Sequence, residues 1–167
     1  MSRDLNETTP RMRDFALKLI GLAKEELGIR VIVTNVARRY EEQVALYAQG
    51  REILENVNKL RTRAGMGPIT HKENIKVTWT LASKHIINLS NDNITDDLSH
   101  AIDFGILDKN GKYQGDIKAD VNNDNKQDYI QLGALAKRID SVIEWGGDWK
   151  KTKDYPHYQE PEYINPA

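Results

Sequence analysis

The sequence predicts an α+β fold, with helices packed on a small, mainly antiparallel sheet in a single domain of residues 1–167. Amphipathic helical patterns alternate with short β-branched runs, and the pair Asn110-Gly111 has the composition of a hairpin turn. A chain of 167 residues suits one hydrophobic core, which at this length buries roughly 70% of the unfolded surface. We therefore expect one domain with one functional site.

Three segments have the composition of helices. Thr9 and Pro10 suit an N-cap and a first helical residue, and apolar residues then recur at helical spacing as far as Gly28. The range Tyr40–Gln49 is rich in strong helix formers and ends before a glycine. A third helix is predicted over Tyr129–Ile143.

The segments between them predict strands, turns and one long loop. Arg30–Thr34 is a short β-branched run typical of a buried strand, and Lys76–Thr80 and His100–Ile106 are predicted to be extended. Residues 51–75 contain glycine, proline and scattered charges without periodicity, which predicts a long loop of the kind that is often functional. Glu144–Trp149 is predicted to be a glycine-bearing turn.

The composition excludes several classes of function. Lys and Arg total 24 against 25 Asp and Glu, so the chain has no basic field with which to bind nucleic acid. The absence of cysteine excludes disulfides, thiolate zinc sites and a cysteine nucleophile, which leaves His, Asp and Glu as strong metal ligands. Because no apolar run follows the N-terminal charges or approaches the ~20 residues that span a bilayer, we expect neither a signal peptide nor membrane insertion.

A segment near the C-terminus, Asp154-Tyr-Pro-His157, has the composition of a metal or catalytic site. Pro156 stiffens the backbone before the imidazole, and neighbouring aromatic residues can shield a metal from bulk water. Asp154 would then lie close enough to act as a general base. Taken alone, the spacing equally suits a surface turn.

Two further clusters change that balance, because together they resemble a known family. Ser83-Lys-His85 precedes Ala101-Ile-Asp103-Phe-Gly105, and "WGGDW" at 145–149 precedes "DYPHYQ" at 154–159. In this order they resemble the VanY-like zinc peptidases that cut bacterial cell-wall peptides, in particular the L-alanyl-D-glutamate endopeptidases found as phage endolysins. The resemblance implies that zinc is bound by His85, Asp103 and His157, with Asp154 as the catalytic base.

A third match lies earlier in the chain. The segment from Arg38 to Gln43, "RRYEEQ", resembles the family pattern Gly-Tyr-Arg-Ser-x-Glu-Glu-Gln, in which the arginine faces the substrate. The resemblance implies that Arg38 binds substrate, and a guanidinium suits this role because its planar fork holds a carboxylate or carbonyl at fixed orientation. Gln43 and Ser83 are further candidates for substrate binding, although Gln43 also suits a solvated helix face and Ser83 a turn cap.

The assignment of the zinc ligands depends on an insertion. Asp103 follows His85 by eighteen residues, whereas the family spacing is seven, which is kept by Asp92. We favour Asp103 because it lies in an apolar strand, whereas Asp92 lies in a turn-like polar run. His100 would point to the opposite face of that strand from Asp103, and His71 is expected to be exposed in the long loop.

A second, calcium-binding site is suggested by the polar run of residues 120–128. Oxygen-bearing side chains at alternate positions resemble the first half of a calcium loop, but the glutamate usual at position twelve is replaced by Gln131. A hydrated loop or an N-cap for the third helix suits the same residues. The predicted calcium ligands are Asp120, Asn122, Asp124 and Asp128.

The resemblance implies a zinc peptidase, expected to be monomeric, whose partner is the peptidoglycan stem peptide. The function expected is hydrolysis of the L-alanyl-D-glutamate bond by an endolysin that lyses bacteria, remaining in the host cytoplasm until it is released to the wall. The alternatives are a D-alanyl-D-alanine carboxypeptidase and a non-catalytic, zinc-containing wall-binding domain. We expect no separate cell-wall-binding domain within residues 1–167.

Overall fold

The computed structural model describes residues 1–87 and 97–161, and its centre is an antiparallel sheet. The strand order is β1-β2-β5-β4, with β3 paired to β2, and every pairing between named strands is antiparallel. Together with the helices below, this sheet confirms the predicted α+β fold. The strands are β1 Arg30–Asn35, β2 Ala101–Leu107, β3 Tyr113–Gln114, β4 Glu144–Trp145 and β5 His157–Gln159.

Four α-helices accompany this sheet in the described ranges. The first begins as predicted, with the Thr9 hydroxyl accepting a hydrogen bond from the Met12 amide. It continues through a π-helical turn, Ala23–Leu27, and ends at Gly28, whose φ of 67° is left-handed. The helices are α1 Pro10–Leu22, α2 Tyr40–Ala48, α3 Leu54–Arg63 and α4 Asp128–Ile139.

The hydrophobic core lies between the sheet and helices α1 and α4. Alternate residues of β2, namely Ile102, Phe104 and Ile106, are fully buried in this core. The Phe15 ring of α1 packs 5.6 Å from that of Tyr158 in β5, measured between centroids. Since side chains alternate along a strand, residues between these core positions face the opposite side of the sheet. That side holds the polar site described below.

The predicted hairpin is confirmed. Strands β2 and β3 pair with Leu107 opposite Tyr113, and Gly111 in the connection has a left-handed φ of 78°. Only a residue tolerant of this conformation fits the turn, which explains the Asn-Gly pair.

The prediction of a long loop over residues 51–75 was wrong, because α3 lies within it. Only Val57 of α3 is buried, so the sequence lacks the wide apolar stripe by which a packed helix is recognised. Glu55 and Lys59 form an ion pair one turn apart, at 2.7 Å, on its exposed face.

Two other boundaries also differ from the predictions. Lys76–Thr80 forms no strand of the sheet, because polar atoms of Thr78 and Thr80 bond to the side chain of Gln43 in α2. Helix α4 ends at Ile139 instead of Ile143, because the backbone of Asp140 is extended. The Asp140 carboxylate accepts two hydrogen bonds from the Arg11 guanidinium. Within the described ranges, no helix combines the length and apolar character required to cross a bilayer.

The packing of α4 against β4 depends on a glycine, and we expect Gly133→Ala to destabilise the fold. A Cβ at Gly133 would lie 2.5 Å from ring carbons of Trp145. Overpacking of this kind costs about 1–3 kcal/mol and outweighs the gain in helix propensity of about 1 kcal/mol. Thermal or urea unfolding should therefore show a lower free energy of unfolding. The matched control is Gly21→Ala in α1, where no atom beyond the adjoining residues and backbone of the same helix lies within 4 Å of the added Cβ. This variant should be as stable as the wild type or more stable. Equal stability of the two variants would contradict the packing argument.

Candidate active site

The register of the sheet brings the first two candidate metal ligands together. Asp103 of β2 is the direct cross-strand partner of His157 in β5 and, on its other side, of Asn35 at the end of β1. Side chains of directly opposed residues share one face, with Cβ atoms about 4.5–5.5 Å apart. The strand register therefore places the His157 imidazole on one side of the Asp103 carboxylate and the Asn35 side-chain amide on the other.

His85 reaches the same point from outside the sheet. Its segment is fixed to the residues after β1, because the Arg38 amide donates to the His85 carbonyl at 2.8 Å and the Ile87 amide to the Arg38 carbonyl at 2.9 Å. The imidazole is buried, and its Nδ1 bonds to the Val36 carbonyl oxygen at 2.7 Å. Nε2 consequently points toward Asp103 and His157.

The three side chains meet closely. The Oδ1 atom of Asp103 lies 3.1 Å from Nε2 of His85 and 2.9 Å from Nδ1 of His157, and the two nitrogens lie 3.2 Å apart. Among the residues the structure describes, this is the only group of three or more His, Asp or Glu side chains that could hold a metal ion. The arrangement unites the three residues predicted as zinc ligands.

The hydrogen bonds of the two imidazoles indicate that this cluster suits a cation. The nitrogen of each ring that points away from the cluster bonds to an oxygen: Val36 carbonyl for His85, and Gln159 Oε1, at 2.9 Å, for His157. If these outer nitrogens carry the protons, the inner nitrogens and the carboxylate are three acceptors with no hydrogen between them. Their separations approach the edge of about 3.3 Å of a tetrahedron of zinc ligands at 2.0–2.1 Å. The donor set and its spacing therefore fit zinc.

The second oxygen of Asp103 is held in place by two neighbours. Oδ2 accepts from the Asn35 amide at 3.2 Å and lies 3.5 Å from the Arg38 guanidinium. Burial by itself would raise the pKa of the Asp103 carboxyl; when the inner nitrogens of His85 and His157 carry protons in place of a metal ion, their charges and hydrogen bonds outweigh burial and hold the pKa well below its ordinary value. Asp103 is therefore ionised at neutral pH, as a metal ligand must be.

An open cavity of about 620 Å³ lies over this cluster. Arg38, Asp154 and Ser83 line it together with the three clustered residues, and so does Trp149, whose ring centroid lies 5.1 Å from that of His157. Desolvation by surrounding protein raises the pKa of the Asp154 carboxyl, although the residue is exposed to the cavity, and the charge of Asp103 raises it further. A carboxyl with a raised pKa beside a metal cluster is suited to exchange protons.

The glycine-bearing turn predicted at 144–149 positions Asp154. The Asp154 amide donates to the Gly146 carbonyl at 3.0 Å, and a Cβ at Gly146 would overlap the Asp154 carbonyl oxygen. The Trp145 indole donates to the Tyr155 carbonyl at 2.8 Å, which ties the same segment to β4. The "WGGDW" segment therefore holds in place the stretch of chain that carries Asp154, the candidate base, and His157, the third candidate ligand.

The prediction that Gln43 binds substrate needs correction. Its side chain is fully buried and does not line the cavity. The Gln43 Oε1 accepts from Arg38 at 3.1 Å, while its Nε2 donates to Thr78 and Thr80. Gln43 thus orients Arg38 and the segment around Thr78, and it is not on a solvated face either. Ser83 does line the cavity, and its hydroxyl also accepts from the His85 amide at 3.3 Å, so it caps the turn before the ligand.

The rival ligands lie elsewhere or outside the described residues. His100 bonds through Nδ1 to Glu160 at 2.6 Å and is not part of the metal cluster, as expected from strand alternation. His71 is exposed at the start of a 3₁₀ turn, which confirms that prediction. Asp92, the alternative to Asp103, lies outside the described residues.

The polar run of residues 120–128 is bonded to its own backbone. Asp120 accepts from the Asp124 and Asn125 amides, Asp124 from the Lys126 amide, and Asp128 from the Val121 amide. The carboxylates of this run do not converge on one point as the ligand atoms of His85, Asp103 and His157 do. Its predicted calcium ligands, Asp120, Asn122, Asp124 and Asp128, therefore stay a prediction from the spacing.

Sequence reasoning missed two residues that support the metal cluster. The sequence gives no role to Asn35, which follows the predicted strand Arg30–Thr34, and none to Gln159 beyond its place at the end of the "DYPHYQ" segment. Both could have been found from a sheet register, because Asn35 opposes Asp103 and Gln159 follows His157 on the same face.

We expect Gln159→Leu to weaken zinc binding. The variant keeps the side-chain volume but removes the acceptor for Nε2 of His157, which lies 2.9 Å away. Loss of such a partner typically lowers metal affinity about 10–100-fold. Competition with a chromogenic chelator would measure this change. The control is Gln114→Leu, which removes a hydrogen bond to Asp108 on the hairpin, and it should bind zinc as the wild type does. Unchanged affinity in Gln159→Leu would show that the ring is oriented by other contacts.

Comparisons with known proteins agree with this fold. Residues 97–160 match a family model described as D-alanyl-D-alanine carboxypeptidase. The matched range includes Asp103, Asp154 and His157, whereas Arg38 and His85 precede it.

Two particular relatives carry the comparison further. Over 132 residues the chain is 33% identical to peptidoglycan L-alanyl-D-glutamate endopeptidase CwlK of Bacillus subtilis, a match that covers 79% of this chain and 61% of that protein. The chain thus spans about three fifths of the length of this curated relative. The crystal structure of Serratia marcescens L-Ala D-Glu endopeptidase ChiX has the same fold, with a TM-score of 0.52 and 21% identity over 94% of this chain and 83% of that chain.

Proposed function

We propose that this protein is a zinc-dependent peptidoglycan peptidase that hydrolyses the L-alanyl-D-glutamate bond of cell-wall stem peptides. The observation that carries the proposal is the convergence of His85, Asp103 and His157 at one end of a cavity that Asp154 also lines. Three ligands leave a fourth position open, which is typical of catalytic zinc sites. The printed name of the Bacillus subtilis relative supports the choice of bond.

A bound zinc would supply Lewis-acid polarisation of the scissile carbonyl and would lower the pKa of a water molecule to about 7. Asp154 accepts a proton from the attacking water and transfers it to the leaving amine as the carbon–nitrogen bond breaks. Its raised pKa suits both halves of this transfer. The buried Gln43 amide and the Asp103 carboxylate orient the Arg38 guanidinium, whose remaining donors hold a carbonyl or carboxylate of the substrate.

The charge of the cavity supports an anionic substrate. Lys84, Lys151 and Lys153 line it in addition to Arg38, against the two carboxylates of Asp103 and Asp154. Lys153 also donates to the Gly147 carbonyl at 2.7 Å, which holds its charge at the wall of the cavity. D-glutamate and the residues after it carry carboxylates that these groups would attract.

Incubation with purified peptidoglycan tests the bond that is cut. We expect new amino termini that belong to D-glutamate, and we expect a chelator to stop their release and zinc to restore it. Release of free D-alanine would instead favour the carboxypeptidase named in the family model. Zinc binding without any hydrolysis would favour a non-catalytic wall-binding domain.

We also propose that the enzyme acts as an endolysin, held in the host cytoplasm until the membrane is permeabilised. The support is the resemblance of its three patterns to phage endolysins, and the test is expression of the chain in bacterial cytoplasm. Lysis should follow addition of a membrane-permeabilising agent and should be absent before it. Lysis without that agent would contradict the proposed route.

A further inference from the structure

An exposed apolar strip lies beside the metal cluster. Its four members occupy alternate positions along the segment that follows α3. Their exposed fractions are 61% for Ile75, 44% for Val77, 61% for Trp79 and 41% for Leu81. Apolar side chains exposed together on a protein surface commonly mark a binding site.

The strip is rigidly supported by polar contacts on its inner side. The Thr78 hydroxyl and the Thr80 carbonyl accept hydrogen bonds from the buried amide of Gln43, at 3.1 and 2.7 Å. The Arg51 guanidinium donates to the Thr78 carbonyl at 3.0 Å. The segment therefore buries Thr78 and leaves its apolar side chains exposed, whereas apolar side chains are more often the buried ones.

Part of the strip is continuous with the proposed catalytic cavity. Val77 and Trp79 line the same cavity as the metal cluster, whereas Ile75 and Leu81 do not. A cavity of about 620 Å³ is roughly 10 Å across. A group bound against Trp79 inside this cavity therefore shares the cavity with the proposed catalytic residues.

We propose that Trp79, with Val77 beside it, binds the N-acetylmuramoyl sugar that carries the stem peptide; this inference rests on the proposed function. In peptidoglycan the L-alanine nitrogen is acylated by the lactyl group of that sugar. One residue and one lactyl group separate the ring from the scissile bond, a span of at most about 7 Å. The sugar must therefore occupy the same cavity as the bond, or its mouth.

The chemistry of the cavity wall suits a sugar. A pyranose ring has an apolar C–H face that packs on the electron-rich face of an indole. Thr80 and Thr152 line the same cavity, and their hydroxyl groups are of the kind that bonds to the polar edge of the ring. A lipid surface or a second copy of the chain would have no use for hydroxyl groups beside the tryptophan.

The test compares two substrates that differ only at this group. One is the muramoyl peptide, and the other is the same peptide with an acetyl group in place of the muramoyl group. The wild type should show a higher kcat/KM for the muramoyl peptide, and Trp79→Ala should lower the ratio of the two values about 3- to 10-fold. Ile75→Ala, equally exposed but outside the cavity, is the matched control and should keep the wild-type ratio.

Several results would overturn the inference. They are a wild-type ratio near one, an unchanged ratio in Trp79→Ala, equal losses on both substrates, or a loss of self-association or vesicle binding in Trp79→Ala without a change in the ratio. If neither peptide is hydrolysed, the proposed function fails, and the inference is then judged by calorimetric binding of the two peptides to wild type and Trp79→Ala. Tighter binding of the muramoyl peptide that depends on Trp79 supports it, and equal binding refutes it.

Discussion

Replacement of Asp154 by asparagine is expected to lower kcat for stem-peptide hydrolysis about 10²- to 10⁴-fold while zinc remains bound. Asparagine keeps the shape of the side chain but cannot accept the proton of the attacking water. The metal cluster is unaffected, because its three ligand atoms come from His85, Asp103 and His157. Turnover of a defined muropeptide and zinc content by mass spectrometry should be measured on the same preparation.

The matched control for this variant is Asp148→Asn. Asp148 lies in the same chain region, but its carboxylate is exposed and pairs with Lys137 at 2.7 Å, away from the cavity. This variant should retain both zinc and turnover. Hydrolysis by Asp154→Asn at the wild-type rate, with zinc present, would remove Asp154 from the mechanism.

Replacement of His85 by alanine is expected to abolish both zinc binding and hydrolysis. The buried imidazole supplies one of the three ligand atoms of the cluster. Its removal leaves only the ligand atoms of Asp103 and His157. Since a ligand that binds only the folded state stabilises it, zinc at about 1,000 times its Kd should stabilise the wild type by about 4 kcal/mol. The same zinc concentration should leave the stability of the variant nearly unchanged.

Thermal unfolding with zinc and with chelator measures this difference directly. The control is His71→Ala, which removes an exposed imidazole remote from the cluster and should respond to zinc as the wild type does. A zinc-dependent rise in the melting temperature of His85→Ala would indicate that the ion is bound elsewhere.

The parts of the site that the sequence predicted are those with a local pattern. His157 and Asp154 lie three residues apart beside a proline, and Asp103 lies within an apolar run, so each is visible in a short window. Their meeting point depends on strand register, which pairs Asp103 with His157 across 54 residues of sequence. No local pattern fixes that pairing, and the family resemblance supplied it.

The parts that could not be predicted depend on tertiary contacts. Gln43 has the composition of an exposed helix residue, yet it is fully buried because Arg38 and Thr78 satisfy its amide. Helix α3 escaped detection because it buries a single side chain, Val57, and its other residues match a solvated loop in composition. The burial of Gln43 thus depends partly on Thr78, which lies 35 residues away in the sequence.

Backbone contacts fix both ends of the insertion between His85 and Asp103. The positions of these two metal ligands therefore do not depend on the length of the insertion. The His100 amide donates to the Lys84 carbonyl at 2.9 Å, so the chain leaves the site beside His85 and returns beside Asp103 at nearly the same place. The Ser99 hydroxyl reinforces this closure by donating to the Val36 carbonyl, which His85 also contacts. A change in the number of residues that join Ile87 to Asp97 should therefore leave His85 and Asp103 in place.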